Sequence, residues 1–240
     1  MPKIINIDGI YKLPDAVNEL ASSARFDFIY KSATWLGGSG GESRSGSGST
    51  VKNTELYVNQ LSQYLDAFKE LNNNKPPVFF DAPCGDLNWI KDLFSSVEYA
   101  GGDISETLIA DLNQQLPQID TYLFDITRDD FPAADIWHCR HCHFHLSLSD
   151  IANSFEGFCR SKIDVALMTT HFLPDNVTFD IPSGSFRPLD LTNFPFYLPE
   201  PQLWLLDSQL LSGKTAMATG VWNKSQIKVG LENYRRLMHT

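Results

Sequence analysis

The sequence predicts an α/β fold: a mostly parallel sheet with an antiparallel hairpin at one edge, preceded by an N-terminal helical segment. Apolar runs alternate with amphipathic stretches from Val78 to Thr170. Asp81, Asp103 and Asp125 each follow one of those runs, and successive members are 22 residues apart. A strand, a helix and two loops take about that many residues, a βαβ unit with both strands being roughly 30. The alternation ends in a proline-rich stretch, beyond which two extended segments remain.

Taken in order, residues 11–35 and 52–72 carry helical spacing, with Leu56, Leu61, Tyr64, Leu65 and Phe68 on one face of the second. Between them, Gly37 to Thr50 is almost all glycine and serine apart from Glu42 and Arg44. Composition alone makes this a flexible linker. Pro76-Pro77 ends the helical region. Strands are expected at 78–82, 97–102, 121–125, 134–139 and 163–170, and helices at 88–95, 105–115 and 149–160. Ser149 or Asp150 would cap the last helix. The prolines of 171–201 (Pro174, Pro182, Pro188, Pro195, Pro199 and Pro201) argue against a crossover helix there. Segments 203–207 and 215–222 would form the edge hairpin around Ser212-Gly213-Lys214. Residues 1–75 and 76–240 are expected to belong to one domain, the second carrying the proline-rich insertion at 171–201.

At 240 residues the chain suits one well-buried domain. A formal charge of −10 argues against a nucleic-acid track. No 18-residue apolar stretch is present, so no membrane span is expected, and the first residues lack the apolar segment of a signal peptide. These point to a cytoplasmic protein with reduced thiols at Cys84, Cys139, Cys142 and Cys159.

The chemistry centres on the strand–loop–helix unit Val78-Phe79-Phe80-Asp81-Ala82-Pro83-Cys84-Gly85-Asp86-Leu87-Asn88-Trp89-Ile90. A dinucleotide fingerprint has three glycines for close approach to a pyrophosphate. Only Gly85 is present, and Asp86 follows it. A carboxylate about 4 Å from a phosphate costs about 4 kcal/mol at an effective dielectric near 20. Three acids at successive strand ends suit a guest with hydroxyls, an amine and a positive charge, which points to S-adenosylmethionine.

The run Asp81-Ala82-Pro83-Cys84-Gly85-Asp86-Leu87-Asn88-Trp89-Ile90 resembles the first motif of class I, Rossmann-like S-adenosylmethionine-dependent methyltransferases, in a subgroup with a Cys-Gly-Asp-Phe-Asn-Trp core. Tyr99 to Ser105 resembles its second motif and Phe124 to Thr127 its third. The resemblance extends to Glu42 to Ser49 and to Phe186 to Leu191 with Pro195-Phe196. It implies that Asp81 and Gly85 hold the methionine part, with Pro83, Cys84 and Trp89 around them. Asp103 would take the ribose hydroxyls, Ile104 the adenine face, and Asp125 the adenine amine beside Ile126. Arg140 would reach the methionine carboxylate or the acceptor. The resemblance also turns residues 37–50 into a lid, in which Arg44 and Ser49 contact the cofactor. Some members of the subgroup occur with surface-polysaccharide genes, so the implied reaction is O-methylation of a carbohydrate, possibly nucleotide-linked or phosphorylated. A cofactor-binding protein without activity and a methyltransferase of a non-sugar metabolite are the alternatives.

Residues 138–145 read His-Cys-Arg-His-Cys-His-Phe-His. Cys139-x-x-Cys142 invites a zinc site, but no second Cys/His pair lies at finger spacing, so no metal is expected. An imidazole is a suitable general base for a hydroxyl acceptor. His145 ranks first, then His141, which stands where relatives have aspartate, and His143 last. His171, Arg187 and Tyr197 are candidate acceptor contacts. Phe194, Tyr197 and Trp204 could stack on a ring, while Phe196 covers the sheet. A small-molecule acceptor is the expected partner, and oligomerisation is left open.

Overall fold

The computed structural model describes residues 13–173, 178–207 and 216–238. Helices α1 (Asp15–Asn18), α2 (Ser22–Lys31) and α3 (Val51–Leu71) precede β1 (Val78–Asp81) and β2 (Glu98–Asp103). Then come α4 (Glu106–Gln115), β3 (Asp120–Leu123), β4 (Ile136–Cys139), α5 (Leu148–Arg160) and β5 (Val165–His171). The chain closes with β6 (Leu203–Leu206), β7 (Met217–Asn223) and α6 (Lys224–Met238). The seven strands run in the order β3-β2-β1-β4-β5-β7-β6. The first five pair in parallel, and β7 is antiparallel to both β5 and β6.

Alternation along the central strands builds a core on each face of the sheet. Phe79, Ile136 and Leu167 point to the face covered by Tyr57, Leu61 and Leu65 of α3. Phe80, Trp137 and Met168 point to the other, where Phe155 and Phe158 of α5 pack. Strand order reverses between β2-β1 and β1-β4, which opens a crevice at the carboxyl ends of β1 and β4, the usual ligand position in open α/β sheets.

Several elements differ from expectation. The helix expected at 88–95 is a single 3-10 turn, Lys91–Leu93, because Leu87 (φ 55°) takes the left-handed region and turns the chain first. Residues 13–35 form two short helices, and Ala33 (φ 53°) ends the helical path after the second. The cap of α5 is Ser147, whose hydroxyl accepts from the Asp150 amide at 3.1 Å, and not Ser149 or Asp150. The hairpin turn expected at 212–214 lies outside the described residues, as do Pro174 and the first two residues of the 11–35 segment. Helix α6 was not anticipated. Its Ile227, Leu231 and Tyr234 are buried, with Tyr234 stacked on Phe196 at 5.2 Å. At the sheet edge, the Gln60 side-chain amide of α3 donates to the Leu206 carbonyl (3.2 Å) and accepts from the Leu206 amide (3.1 Å). Among the described residues no helix is long and apolar enough to cross a membrane.

Candidate active site

A cavity of about 780 Å³ opens at the carboxyl ends of β1, β2 and β4. Asp81, Pro83, Cys84, Gly85, Trp89, Asp103, Ile104, Asp125, Ile126 and Arg140 line one end together with Ser49. His141, His145 and His171 line it towards an aromatic end. The three acids spaced along the sequence therefore reach one cavity.

Their surroundings differ. Asp81 ends β1 with both oxygens engaged: His138 Nδ1 donates to one at 2.6 Å and the Tyr99 hydroxyl to the other at 2.8 Å. The Tyr57 hydroxyl meets His138 Nε2 at 2.9 Å, so Tyr57, His138 and Asp81 form a buried relay through the sheet. Asp81 is thus braced by protein groups before any ligand arrives, and His138 was missed as its partner. Asp103 accepts the Ser105 and Gly85 amides at 3.1 and 3.2 Å. Burial pushes its carboxyl up to about 6 against those amides. Asp125 stands two residues past β3, where one oxygen accepts both the amide and the hydroxyl of Thr127 at 2.9 and 2.7 Å.

Residues 37–50 are not a free linker. They form two 3-10 turns, Leu36–Ser39 and Ser47–Ser49, bonded to the first motif. Asp86 accepts the Ser43 hydroxyl at 2.9 Å and the Arg44 amide at 2.6 Å, and its own amide donates to the Ser45 hydroxyl at 3.0 Å. Asn88 donates to Glu42 (2.9 Å) and to the Ser49 carbonyl (3.0 Å). Asp86 hence faces the lid and is not part of the cavity wall, which leaves the charge argument against a pyrophosphate to Asp81, Asp103 and Asp125. Gly85 is required by the lid as well: with φ 58°, an added Cβ would lie 2.6 Å from the Ser45 hydroxyl.

The other lid anchor is Arg140. Its Nη2 donates to the Gly48 carbonyl at 2.9 Å and to Asp207 at 2.5 Å, and its guanidinium lies over Tyr57 and Trp89, 5.1 and 4.9 Å from the ring centres. Asp207 also takes the Thr169 hydroxyl, and His141 Nε2 lies 3.0 Å from it. Burial would raise the Asp207 carboxyl, but Arg140 and His141 outweigh this and hold it far below the usual carboxylate range. His141 (φ 53°) lies directly under the lid, where a Cβ on Gly48 would come within 2.4 Å of its Nδ1. Burial and the Arg140 charge together lower the His141 pKa. Asp207 was invisible to motif reasoning, since it follows β6 and no local pattern marks it.

At the aromatic end His145 sits in a 3-10 turn (His143–His145) after β4. Its Nδ1 is 2.7 Å from the Ser185 carbonyl, which can only accept, so Nδ1 carries the hydrogen and Nε2 the lone pair. Burial lowers its pKa to about 4, so the ring is neutral at pH 7. His171 has the opposite tautomer: the Leu189 amide donates to its Nδ1 at 3.2 Å. Burial likewise lowers it to about 4. His143 leaves the list of bases. It is fully buried between Cys139 and Ser154, and burial lowers it to about 3.

Like His143, Phe194 and Trp204, the predicted contacts Arg44, Arg187 and Tyr197 are not brought to the cavity wall. The Arg44 guanidinium pairs with Asp111 of α4 at 2.6 Å. Arg187 is fully buried and donates to the Leu146 carbonyl at 2.5 Å, which makes it a brace of the 186–191 segment. Tyr197 lies 40% exposed beside Phe194, with ring centres 6.4 Å apart, away from the cavity.

No protein-family model and no curated protein matches the chain. Solved structures do. The Burkholderia thailandensis 1,6-didemethyltoxoflavin-N1-methyltransferase, with bound 1,6-didemethyltoxoflavin and S-adenosylhomocysteine, matches at TM-score 0.57 and 13% identity, over 92% of this chain and 98% of that one. The magnesium protoporphyrin IX methyltransferase of Synechocystis PCC 6803, with bound S-adenosylhomocysteine, matches at TM-score 0.50 and 12% identity, over 71% and 86% of the two chains. With its β3-β2-β1-β4-β5-β7-β6 sheet, this chain has the Rossmann-like fold of those methyltransferases.

Proposed function

We propose that the chain is an S-adenosylmethionine-dependent methyltransferase that acts on a hydroxyl of a small acceptor. The observation that carries this reading is one continuous cavity, acid-lined at the ends of β1 and β2 and histidine-lined after β4. The residues fit the cofactor. Asp103 is a buried carboxylate whose ionisation is opposed by burial, a position that ribose hydroxyl donors would relieve. Asp125 has a second oxygen outside its Thr127 turn, 3.7 Å from the exposed Arg128 Nε, that an adenine amine would reach, and Ile104 and Ile126 supply apolar faces for adenine.

When bound, the cofactor supplies an electrophilic methyl group whose departure leaves a neutral thioether. The protein's part is to position the acceptor, exclude water and accept a proton. Holding reactants in line is worth about 7–11 kcal/mol of the barrier in favourable cases. The 37–50 lid, tied to Asp86 and Arg140, closes the cavity over the first motif. His145 Nε2 has the lone pair to receive the hydroxyl proton.

A carbohydrate acceptor remains the implication of the sequence resemblance. Arg187 lends no support to a nucleotide-linked or phosphorylated sugar, because its guanidinium is buried against Leu146. Calorimetry with S-adenosylhomocysteine tests the reading first. Micromolar binding that weakens in Asp103→Ala supports it, and no heat at millimolar ligand removes it.

A further inference from the structure

We propose that the acceptor is a flat aromatic hydroxyl compound, a phenol or hydroxylated heteroaromatic ring, bound among Phe26, Trp35, Phe144, His145, Phe186 and His171. The inference rests on the methyltransferase reading and deepens it. These six rings form a continuous wall at one end of the cavity. Trp35 and His145 lie 4.9 Å apart at an interplanar angle of 35°. Phe26 is 6.4 Å from Trp35, and Phe186 is 5.7 Å from His145, 5.6 Å from Phe144 and 6.2 Å from His171.

The polar inventory of that wall is short. No lysine or arginine belongs to it, and each imidazole has already spent its Nδ1, His145 on the Ser185 carbonyl and His171 on the Leu189 amide. Among the six rings what remains is one acceptor, His145 Nε2, and one donor, His171 Nε2–H; Ser22, Thr34 and Asp150, the last already accepting from the Ser183 hydroxyl, line the cavity as well. That pair suits one hydroxyl with a second oxygen or nitrogen beside it. A sugar would bring several hydroxyls against these ring faces, which offer only those two partners, and a buried hydroxyl left unpaired is penalised heavily. Acidity agrees. A phenolic hydroxyl titrates near pH 10 and an alcohol far higher, so to a ring that burial holds near 4 the phenol gives up its proton at much the smaller cost. The phenolic oxygen forms the bond to the methyl carbon as the carbon–sulfur bond breaks with its electron pair on sulfur. The hydroxyl proton passes to His145 Nε2 and from there to water.

The test uses the full chain saturated with S-adenosylhomocysteine, titrated with catechol and 2-naphthol as aromatic probes and with methyl glucoside and UDP-glucose as sugar probes, followed by saturation-transfer NMR. The aromatic probes should bind at least about tenfold tighter than either sugar. Trp35→Ala should weaken them about tenfold, with S-adenosylhomocysteine affinity kept, and Trp35→Phe should restore the stacking face and most of the affinity. A preference for either sugar, silence of both aromatic probes at millimolar concentration, or an unchanged aromatic affinity in Trp35→Ala overturns the inference alone. Failure of S-adenosylhomocysteine to bind at the outset overturns the methyltransferase reading and this inference with it.

Discussion

Asp86 accepts the backbone N–H of Arg44 at 2.6 Å and thereby ties the middle of the lid to the loop after β1. The same carboxylate holds the Ser43 hydroxyl. A single side chain thus links two segments more than forty residues apart in sequence, as their numbering shows.

Asp86→Ala should free this latch. A hydrogen bond to a charged group contributes about 1.5–3 kcal/mol, so cofactor affinity should fall roughly 10- to 100-fold if the lid covers the cofactor. Hydrogen exchange at residues 43–49 should accelerate in parallel. Unchanged exchange there would show that other bonds hold the lid.

Removing Asp207 should unfold more than it frees. Asp207→Ala leaves the Arg140 guanidinium buried beneath the sheet rim without its carboxylate, and such a loss typically costs about 3–5 kcal/mol. Urea denaturation at pH 7 measures it. A loss of about 1 kcal/mol or less, the range of exposed pairs, would mean that the Arg140–Asp207 contact does not bear on stability.

Asp103 gives a pH signature. Its folded pKa of about 6 stands above the ordinary carboxyl value of 3.8, so the folded protein binds more protons than the unfolded chain between those values. Stability of the free protein should therefore fall as pH rises from about 4 to about 6, and Asp103→Asn should flatten that segment. S-adenosylhomocysteine, whose ribose hydroxyls donate to the ionised form, should bind more tightly at pH 7.5 than at pH 5 with proton release on binding. Calorimetry in two buffers of different ionisation enthalpy reads the proton count. No linked proton at pH 5.5 would take Asp103 out of the ribose site.

His145→Ala should lower turnover about 100-fold or more while leaving S-adenosylhomocysteine affinity unchanged. Because burial lowers His145 to about 4, its protonation should not reduce the rate between pH 8 and pH 5.5. An acid limb near 6.5 that vanishes in the variant would contradict the buried, neutral ring.

Much of the sheet was legible because its central strands β1, β4 and β5 are buried apolar runs and acids mark the ends of β1 and β2. Asp81 and Asp103 close β1 and β2, and Asp125 follows β3, as the regular spacing implies. That residues 37–50 pack on the first motif through Asp86 and Asn88 was signalled only by the Ser-Arg-Ser-Gly-Ser-Gly-Ser resemblance, since composition alone gives a linker. What could not be read is long-range. Asp207 reaches Arg140 across 67 positions, and His138 braces Asp81 across 57. Arg187 misled for the opposite reason: a guanidinium near prolines and aromatics suggests a ligand contact, yet the side chain is fully buried off the cavity wall, with its Nη1 donating to the Leu146 carbonyl. Helix α6 carries its own signal in the helical spacing of Ile227, Leu231 and Tyr234, which lies beyond the last strand and outside the strand–helix alternation that marks the sheet.

The Gln60 amide on Leu206 also bears on how copies of this protein meet. β6 lies at the rim of the sheet, where unsatisfied backbone groups ordinarily invite a neighbour's strand. Here the side chain plays the neighbour, filling both outward positions of one residue from within the same molecule. A second copy that sought to continue the sheet from β6 would first have to evict an intramolecular glutamine, so any assembly is steered away from strand-to-strand growth at that side.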